Sequence, residues 1–246
     1  IDNTSSNDGK LRNAVFVHDF ESPLLHKLTW PKVSWAPGLF DLDNDTDLDL
    51  FFANGHLNSV SGDNRQANLL FENDGGGRFS DISDKSGVLS TGKRIHRSAI
   101  FADYDDDGRV DIFVTVNGQQ VEDGKGNNVF DPNQGKGILF HNDTKNNNNW
   151  LKVRLEGTKS NRDGLGSKVK IKSGAFTDEK ALVSGEGYFS SSAKEIYFGL
   201  GETTSIDKLT VLWPSGHDDI FENIKANQTV YIVEGKQLYQ DTLRSP

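Results

Sequence analysis

Short runs in which apolar and polar residues alternate recur along the chain, and clusters of Gly, Asn and Asp separate them. The clearest runs lie at residues 150–155, 168–172, 209–213 and 230–233. A period of two is typical of half-buried antiparallel strands, whereas no segment carries a long helical period. We therefore predict an all-β protein.

The first 149 residues contain an internal repeat with a period of 62 residues, since the acidic loop that begins at Asp41 returns at Asp103. Each copy runs from the acidic loop into an apolar strand, then through a polar loop into a second strand. Repeated units of several short strands are typical of propeller blades. The predicted strands lie at 48–53, 68–72, 110–116 and 137–141.

A hairpin follows the first unit, because residues 73–77 read Asn-Asp-Gly-Gly-Gly and such residues tolerate positive φ. The next strand is predicted at 78–82. Two units fall short of the roughly four to eight blades of a propeller. We expect a partial propeller, completed by residues outside this chain, by another chain, or not at all.

A polar junction at residues 145–149 marks the predicted domain boundary. Residues 1–149 carry 14 basic and 23 acidic residues, whereas residues 150–246 carry 13 of each. Such asymmetry indicates two modules with different roles. We assign residues 1–149 to the blades and residues 150–246 to a compact β-sandwich or barrel-like domain of about seven strands.

Two nine-residue windows hold ten of the 23 acids in the first module. Such dense charge repels itself unless a cation sits inside it. Aspartates occupy positions 1, 3, 5 and 9 of both windows, and alternate residues of a tightly curled loop can point at one centre. The predicted ligands are Asp41, Asp43, Asp45 and Asp49 in the first loop, and Asp103, Asp105, Asp107 and Asp111 in the second.

Four carboxylates without His or Cys form a hard oxygen cage, which favours Ca²⁺ over Mg²⁺ or Zn²⁺. We add the backbone carbonyls of position 7, which is Asp47 in the first loop and Arg109 in the second. Gly108 at position 6 permits a sharp turn, whereas the first loop has Thr46 there. The sequence thus predicts two Ca²⁺ sites; the alternative is a pair of solvated acidic turns.

The loops are not EF-hands, because position 12 lies inside an apolar strand instead of supplying a Glu between two helices. Cysteine is absent, which excludes disulfides and thiolate chemistry. No apolar run is long enough for a membrane span, and no strongly basic stretch points to nucleic acid. No acid/base pair is recognisable outside the acidic loops, so we expect no enzyme.

The loop followed by an apolar strand resembles the FG-GAP/VCBS repeat of integrin-α-like β-propellers. Residues 150–235 resemble the ASPIC/UnbV domain. The order of the two resembles the C-terminal part of the cartilage acidic protein-like family. The matching stretches of the second domain are 150–155, 160–166, 185–188, 197–201, 211–216 and 227–228.

The resemblance implies an extracellular, calcium-binding protein with an adhesive or matrix role and without a catalytic site. Its partners would be proteins or glycans at the cell surface or in the matrix, further copies of the chain, or missing blades on another chain. Two alternatives remain open: a subunit of an extracellular filament or surface assembly, and a module that acts on polysaccharide. Glycans are expected only on a secreted eukaryotic chain, and the candidate acceptors are Asn3, Asn44, Asn142 and Asn227.

Overall fold

The computed structural model describes residues 23–57, 64–118, 120–122, 128–130 and 135–240. Within these residues there are 17 strands and one helix of seven residues, which confirms the predicted all-β class. The helix, α1 (Pro23–Thr29), was not predicted, because seven residues are too few to show a helical period.

The first blade-like sheet is antiparallel and follows chain order, β1-β2-β3-β4. Pro37 and Gly38 interrupt β1, which an edge strand tolerates. One face of this sheet packs on Leu25 and Leu28 of α1. The strands are β1 (Ser34–Phe40), β2 (Asp49–Asn54), β3 (Leu69–Asn73) and β4 (Phe79–Asp81).

The second sheet repeats the arrangement, with strand order β5-β6-β9. A two-stranded ribbon, β7 (Gln120–Glu122) with β8 (Asn128–Phe130), is inserted between its last two strands. The sheet consists of β5 (Ile95–Ala102), β6 (Asp111–Asn117) and β9 (Ile138–Phe140).

One apolar core joins the two blade-like sheets. Phe51 of β2 and Val114 of β6 are fully buried in it. Phe101 lies so close to Gly38 that an added Cβ would meet its ring at 2.0 Å, so the two sheets pack without room for a side chain there. This packing holds the β1–β2 and β5–β6 hairpins side by side.

The strands after residue 148 form two four-stranded sheets around a second core. All pairings are antiparallel except that of β10 with β16. One sheet has the order β13-β10-β16-β17: β13 (Glu195–Gly201), β10 (Asn149–Glu156), β16 (Gln228–Val233) and β17 (Leu238–Gln240). The other has the order β12-β11-β14-β15: β12 (Phe176–Ala181), β11 (Lys168–Ser173), β14 (Ser205–Leu212) and β15 (Asp218–Lys225).

Two sheets with one shared core make a β-sandwich, and the described residues form no closed barrel. The sandwich has eight strands there, against the seven predicted. Val169 and Ile171 are fully buried on one face of β11, as the alternation predicted. None of the five sheets mixes strands from before and after residue 149, although the boundary itself stays a prediction.

Candidate metal centres

The first aspartate loop connects β1 to β2 and is held by hydrogen bonds from its own backbone. Asp41 accepts from the amides of Asp45 and Thr46, at 3.1 and 3.0 Å. Asp45 in turn accepts from the amide of Asp47 at 2.9 Å. The backbone is thereby curled around the carboxylates of positions 1, 3 and 5.

The second loop connects β5 to β6 and repeats these bonds at an offset of 62 residues. Asp103 accepts from the amides of Asp107 and Gly108, both at 3.0 Å. Asp107 accepts from the amide of Arg109 at 2.9 Å. The repeat seen in the sequence is therefore also a repeat in backbone geometry.

The carboxylates of positions 1, 3 and 5 converge in both loops. Each group of three offers oxygen atoms that all lie within 4.8 Å of one another. The first position is buried in both loops, and the others are more accessible, which leaves a route for an ion. Oxygen donors of this kind fit Ca²⁺. The two groups are Asp41, Asp43 and Asp45, and Asp103, Asp105 and Asp107.

The aspartates of position 9 accept from one backbone amide inside the loop and from one outside it. Asp49 accepts from Leu42 at 2.7 Å and from Asn73 at 2.9 Å. Asp111 accepts from Tyr104 at 3.1 Å and from Asn142 at 2.7 Å. Each carboxylate thus ties its loop to the C-terminal end of a neighbouring strand in the sheet, which is β3 for the first loop and β9 for the second.

Asp49 lies outside the three-carboxylate group of its loop, so its role as a ligand stays a prediction. Asp111 groups instead with Asp105 and His141, whose Nδ1 lies 3.2 Å from Asp111 Oδ1. His141 carried no signal in the sequence, since a single His after a strand is more often a surface or packing residue.

Position 6 requires a left-handed backbone in both loops. Gly108 has φ of 86°, and Thr46 adopts 88°, a value that a β-branched residue rarely takes. Thr46 in place of glycine therefore strains the backbone of the first loop, but it does not change the shape of the loop. At position 7 the side chain of Arg109 forms an ion pair with Asp107 and donates to the carbonyl of Asn142 at 2.8 Å.

Burial makes it costly for the carboxylates of the first loop to be ionised. It raises the pKa of Asp41 to about 7, although Lys180 and the amide of Thr46 act to lower it. Burial likewise raises the pKa of Asp49 to about 7, and it also raises the pKa of Asp43. A bound cation would relieve this penalty, because it favours the charged form of each carboxylate.

The second loop receives a cation from the protein itself. The Nζ atom of Lys152, on β10, lies 2.7 Å from Asp103 Oδ2 and 2.5 Å from Asp106 Oδ1. Burial still raises the pKa of Asp103 above its ordinary value, with Lys152 opposing the shift. Burial alone would raise the pKa of Asp106, but Lys152 and Arg154 together lower it.

Both loops pack directly against the C-terminal sandwich. A Cβ at Gly199 of β13 would lie 1.8 Å from Asp41, and a Cβ at Gly108 would lie 1.9 Å from the ring of Trp150. The amide of Gly201 donates to the carbonyl of Asn44 at 2.9 Å. No local sequence pattern indicates this contact, because it joins residues far apart in the chain.

Comparison with known families assigns both halves. Residues 41–114 match the FG-GAP-like repeat, and residues 157–238 match the model named ASPIC and UnbV. The chain combines an FG-GAP-like repeat with an ASPIC/UnbV domain. This confirms the resemblance drawn from the loops and from the C-terminal stretches.

Two curated relatives share this chain's sequence along much of its length. Cartilage acidic protein 1 of Homo sapiens is 28% identical over 249 residues, which cover 98% of this chain and 33% of that protein. Cartilage acidic protein 1 of Mus musculus is 28% identical over 181 residues, which cover 72% of this chain and 25% of that protein. The chain therefore spans a third or less of the relatives it matches.

The FG-GAP-like match contains both aspartate loops, whereas the ASPIC/UnbV match begins one residue after β10 ends. Lys152 and Trp150 lie on β10, in the stretch between the two matches. In the residues that the structure describes, we find no helix with the length and apolarity of a membrane span.

Three of the four candidate glycan acceptors form hydrogen bonds within the protein. Asn44 and Asn142 are buried, and their side-chain amides donate to backbone carbonyls at 3.2 and 2.7 Å. The Asn227 amide donates to Asn149 at 2.7 Å. Asn3 lies outside the described residues. The side-chain nitrogens of Asn44, Asn142 and Asn227 therefore take part in hydrogen bonds that stabilise the fold.

Proposed function

We propose that the chain is an extracellular structural protein in which Ca²⁺ rigidifies the FG-GAP-like blades. The observation that carries this proposal is the recurrence of three converging carboxylates at the same loop positions of two repeats. A solvated acidic turn has no need to bury its first aspartate or to curl the backbone around three carboxylates.

The physical benefit of an ion is charge balance. Each loop brings three aspartates within 4.8 Å of one another and buries the first. A divalent cation offsets both their repulsion and their lost hydration, while the carboxylates of position 9 tie the loops to the ends of β3 and β9. Because the loop is built only in the folded chain, the free energy of binding contributes to the free energy of folding.

Thermal unfolding of calcium-loaded protein tests this proposal. At Ca²⁺ about 100 times above Kd, each site stabilises the fold by about 2.7 kcal/mol. For a chain of this size we expect excess EGTA to lower Tm by roughly 5–10 °C per site. An unchanged melting curve, starting from protein whose calcium content has been measured, would contradict the proposal.

Matched variants assign the effect to each loop. Asp43→Asn and Asp105→Asn remove the same charge from the same position of the two loops, so each should abolish one site and leave the other intact. Asp84→Asn removes an exposed charge outside both loops and should leave the response to EGTA unchanged. An equal response in all three variants would show that the loops are not the binding sites.

The extracellular location rests on the family resemblance and on two relatives named for cartilage, a tissue rich in matrix. The partner surface is proposed to bind protein or glycan, without catalysis. Hydrolysis of a polysaccharide by the purified chain would contradict the non-enzymatic role and favour a module that acts on glycans.

A second candidate function, assembly with further strands or another chain, rests on an uncovered sheet face. Phe113 and Leu139 are cross-strand neighbours on β6 and β9, and they remain 40% and 47% exposed. Ile112, Val114 and Phe140, which flank them, belong to the core shared by the two blade-like sheets. In sedimentation, assembly predicts species larger than a monomer that Phe113→Ser reduces, whereas a single monomeric species would contradict it.

A further inference from the structure

Lys152 is an ammonium group buried at the contact between the two halves of the molecule. Its side chain is fully buried, as is that of Asp103, and the two groups are 2.7 Å apart. A buried charge of this kind is tolerated only when it is paired. The second aspartate loop therefore contains a positive charge that the sandwich supplies.

The pairing also involves Asp106, at position 4 of the second loop. Asp106 accepts from Lys152 at 2.5 Å and from Arg154 at 3.0 Å. The first loop has Asn44 at this position, and its side chain donates to the carbonyl of Gly108. Among the described residues no ion pair reaches Asp41, Asp43 or Asp45. Lys180 of β12 acts on Asp41 only as a nearby charge, and its Nζ donates to the carbonyl of Tyr197 at 2.7 Å.

We propose that Lys152 is a resident cation of the second loop, which weakens Ca²⁺ binding there and makes the two calcium sites unequal. The inference rests on the proposed function and refines it. Because Lys152 lies on β10 of the sandwich, it also makes the calcium affinity of the second loop depend on the contact between the two halves.

Lys152 and a divalent ion would compete for the same carboxylates. A unit positive charge hydrogen-bonded to Asp103 repels a divalent ion held by the same loop, and burial at this contact weakens solvent screening. Removal of Lys152 leaves Asp103 and Asp106 with less compensation. Arg154 would still pair with Asp106, and Arg109 with Asp107. The buried Asp103 would lose its own cation, so the affinity of the loop for a divalent ion should rise.

Calorimetric titration with CaCl₂ tests the proposal in the Asp43→Asn background, where only the second loop is expected to bind. Lys152→Met keeps the length of the side chain and removes the charge, so we expect the Kd of the second loop to fall at least about tenfold. An unchanged or larger Kd in the folded variant would overturn the proposal.

Asp106→Asn provides a second test that keeps Lys152 in place. Its side chain is partly exposed, and asparagine already occupies the equivalent position in the first loop. With one less acid to balance Lys152, the Kd of the second loop should rise by about tenfold, and an unchanged Kd would overturn the proposal. Failure of the wild-type chain to bind Ca²⁺ at either loop would instead overturn the proposed function, and this inference with it.

Discussion

The first aspartate loop has Asn44 and Thr46 where the second has Asp106 and Gly108, although the same backbone hydrogen bonds recur in both. Each loop holds five acids, but the second has Asp106 beside a buried lysine, and it has Arg109 where the first has Asp47. The first loop keeps buried carboxylates whose pKa values rise to about 7. The backbone geometry of each loop is therefore set within its own repeat. The charge balance of the loops is set by the sandwich.

The largest effect is expected when the second loop is pushed away from the sandwich. Gly108→Ala would place a Cβ 1.9 Å from Trp150, on a backbone with φ of 86°. Steric overlap and backbone strain together should lower the free energy of unfolding by about 2–4 kcal/mol in urea titrations.

Gly77→Ala is the matched control for that prediction. Gly77 also has positive φ, but an added Cβ would meet nothing within 4 Å. It should cost only about 1 kcal/mol, which is the strain alone. Equal losses in both variants would show that the contact between loop and sandwich contributes little.

A carboxylate far from both loops separates calcium effects from those of the sandwich alone. Glu234 is buried and accepts from the amides of Thr158, Lys159 and Ser160 at 2.7–2.8 Å. Burial alone would raise the pKa of Glu234, but these amides and the Ser215 hydroxyl lower it well below the ordinary 4.5. Glu234→Gln should cost about 1–3 kcal/mol at neutral pH, equally with Ca²⁺ and with EGTA.

The sign of the pH dependence follows from that lowered pKa. The folded chain binds the Glu234 proton more weakly than the unfolded chain, so its stabilisation is full above pH 4.5 and is lost as pH falls toward the folded pKa. Urea unfolding between pH 6 and pH 3 should show a smaller loss in Glu234→Gln than in the wild type. An identical pH profile would contradict this assignment.

The smallest effect is expected from giving the first loop the glycine of the second. Thr46→Gly relieves a β-branched residue at φ of 88°. The relief exceeds the added entropy of the unfolded chain, so we expect a gain of about 1 kcal/mol in unfolding free energy. Thr203→Gly, at a residue without positive φ, should destabilise, and a loss in both variants would show that Thr46 is not strained.

The sequence predicted what is local or repeated. The spacing of Asp41 and Asp103 was enough to predict two loops of one shape, and alternation at Val169 and Ile171 predicted a buried sandwich face that the structure confirms. Strand β1 was missed because Pro37 and Gly38 break its pattern, and only its position at a sheet edge permits them.

The role of Lys152 was beyond sequence reasoning. In residues 150–155 it is one polar residue of an alternating strand, which normally faces solvent. Its partner Asp103 lies 49 residues earlier in the chain, in another module. Only the packing of both halves converts this residue into a buried cation, and no local pattern reports such packing.

The most direct test of the central claim is a crystal structure from calcium-replete solution, with anomalous data collected at a long wavelength. The account predicts an anomalous peak among Asp41, Asp43 and Asp45, at higher occupancy than one among Asp103, Asp105 and Asp107 when Ca²⁺ is limiting. A well-resolved map with neither peak, and with these six carboxylates turned into solvent, would contradict it.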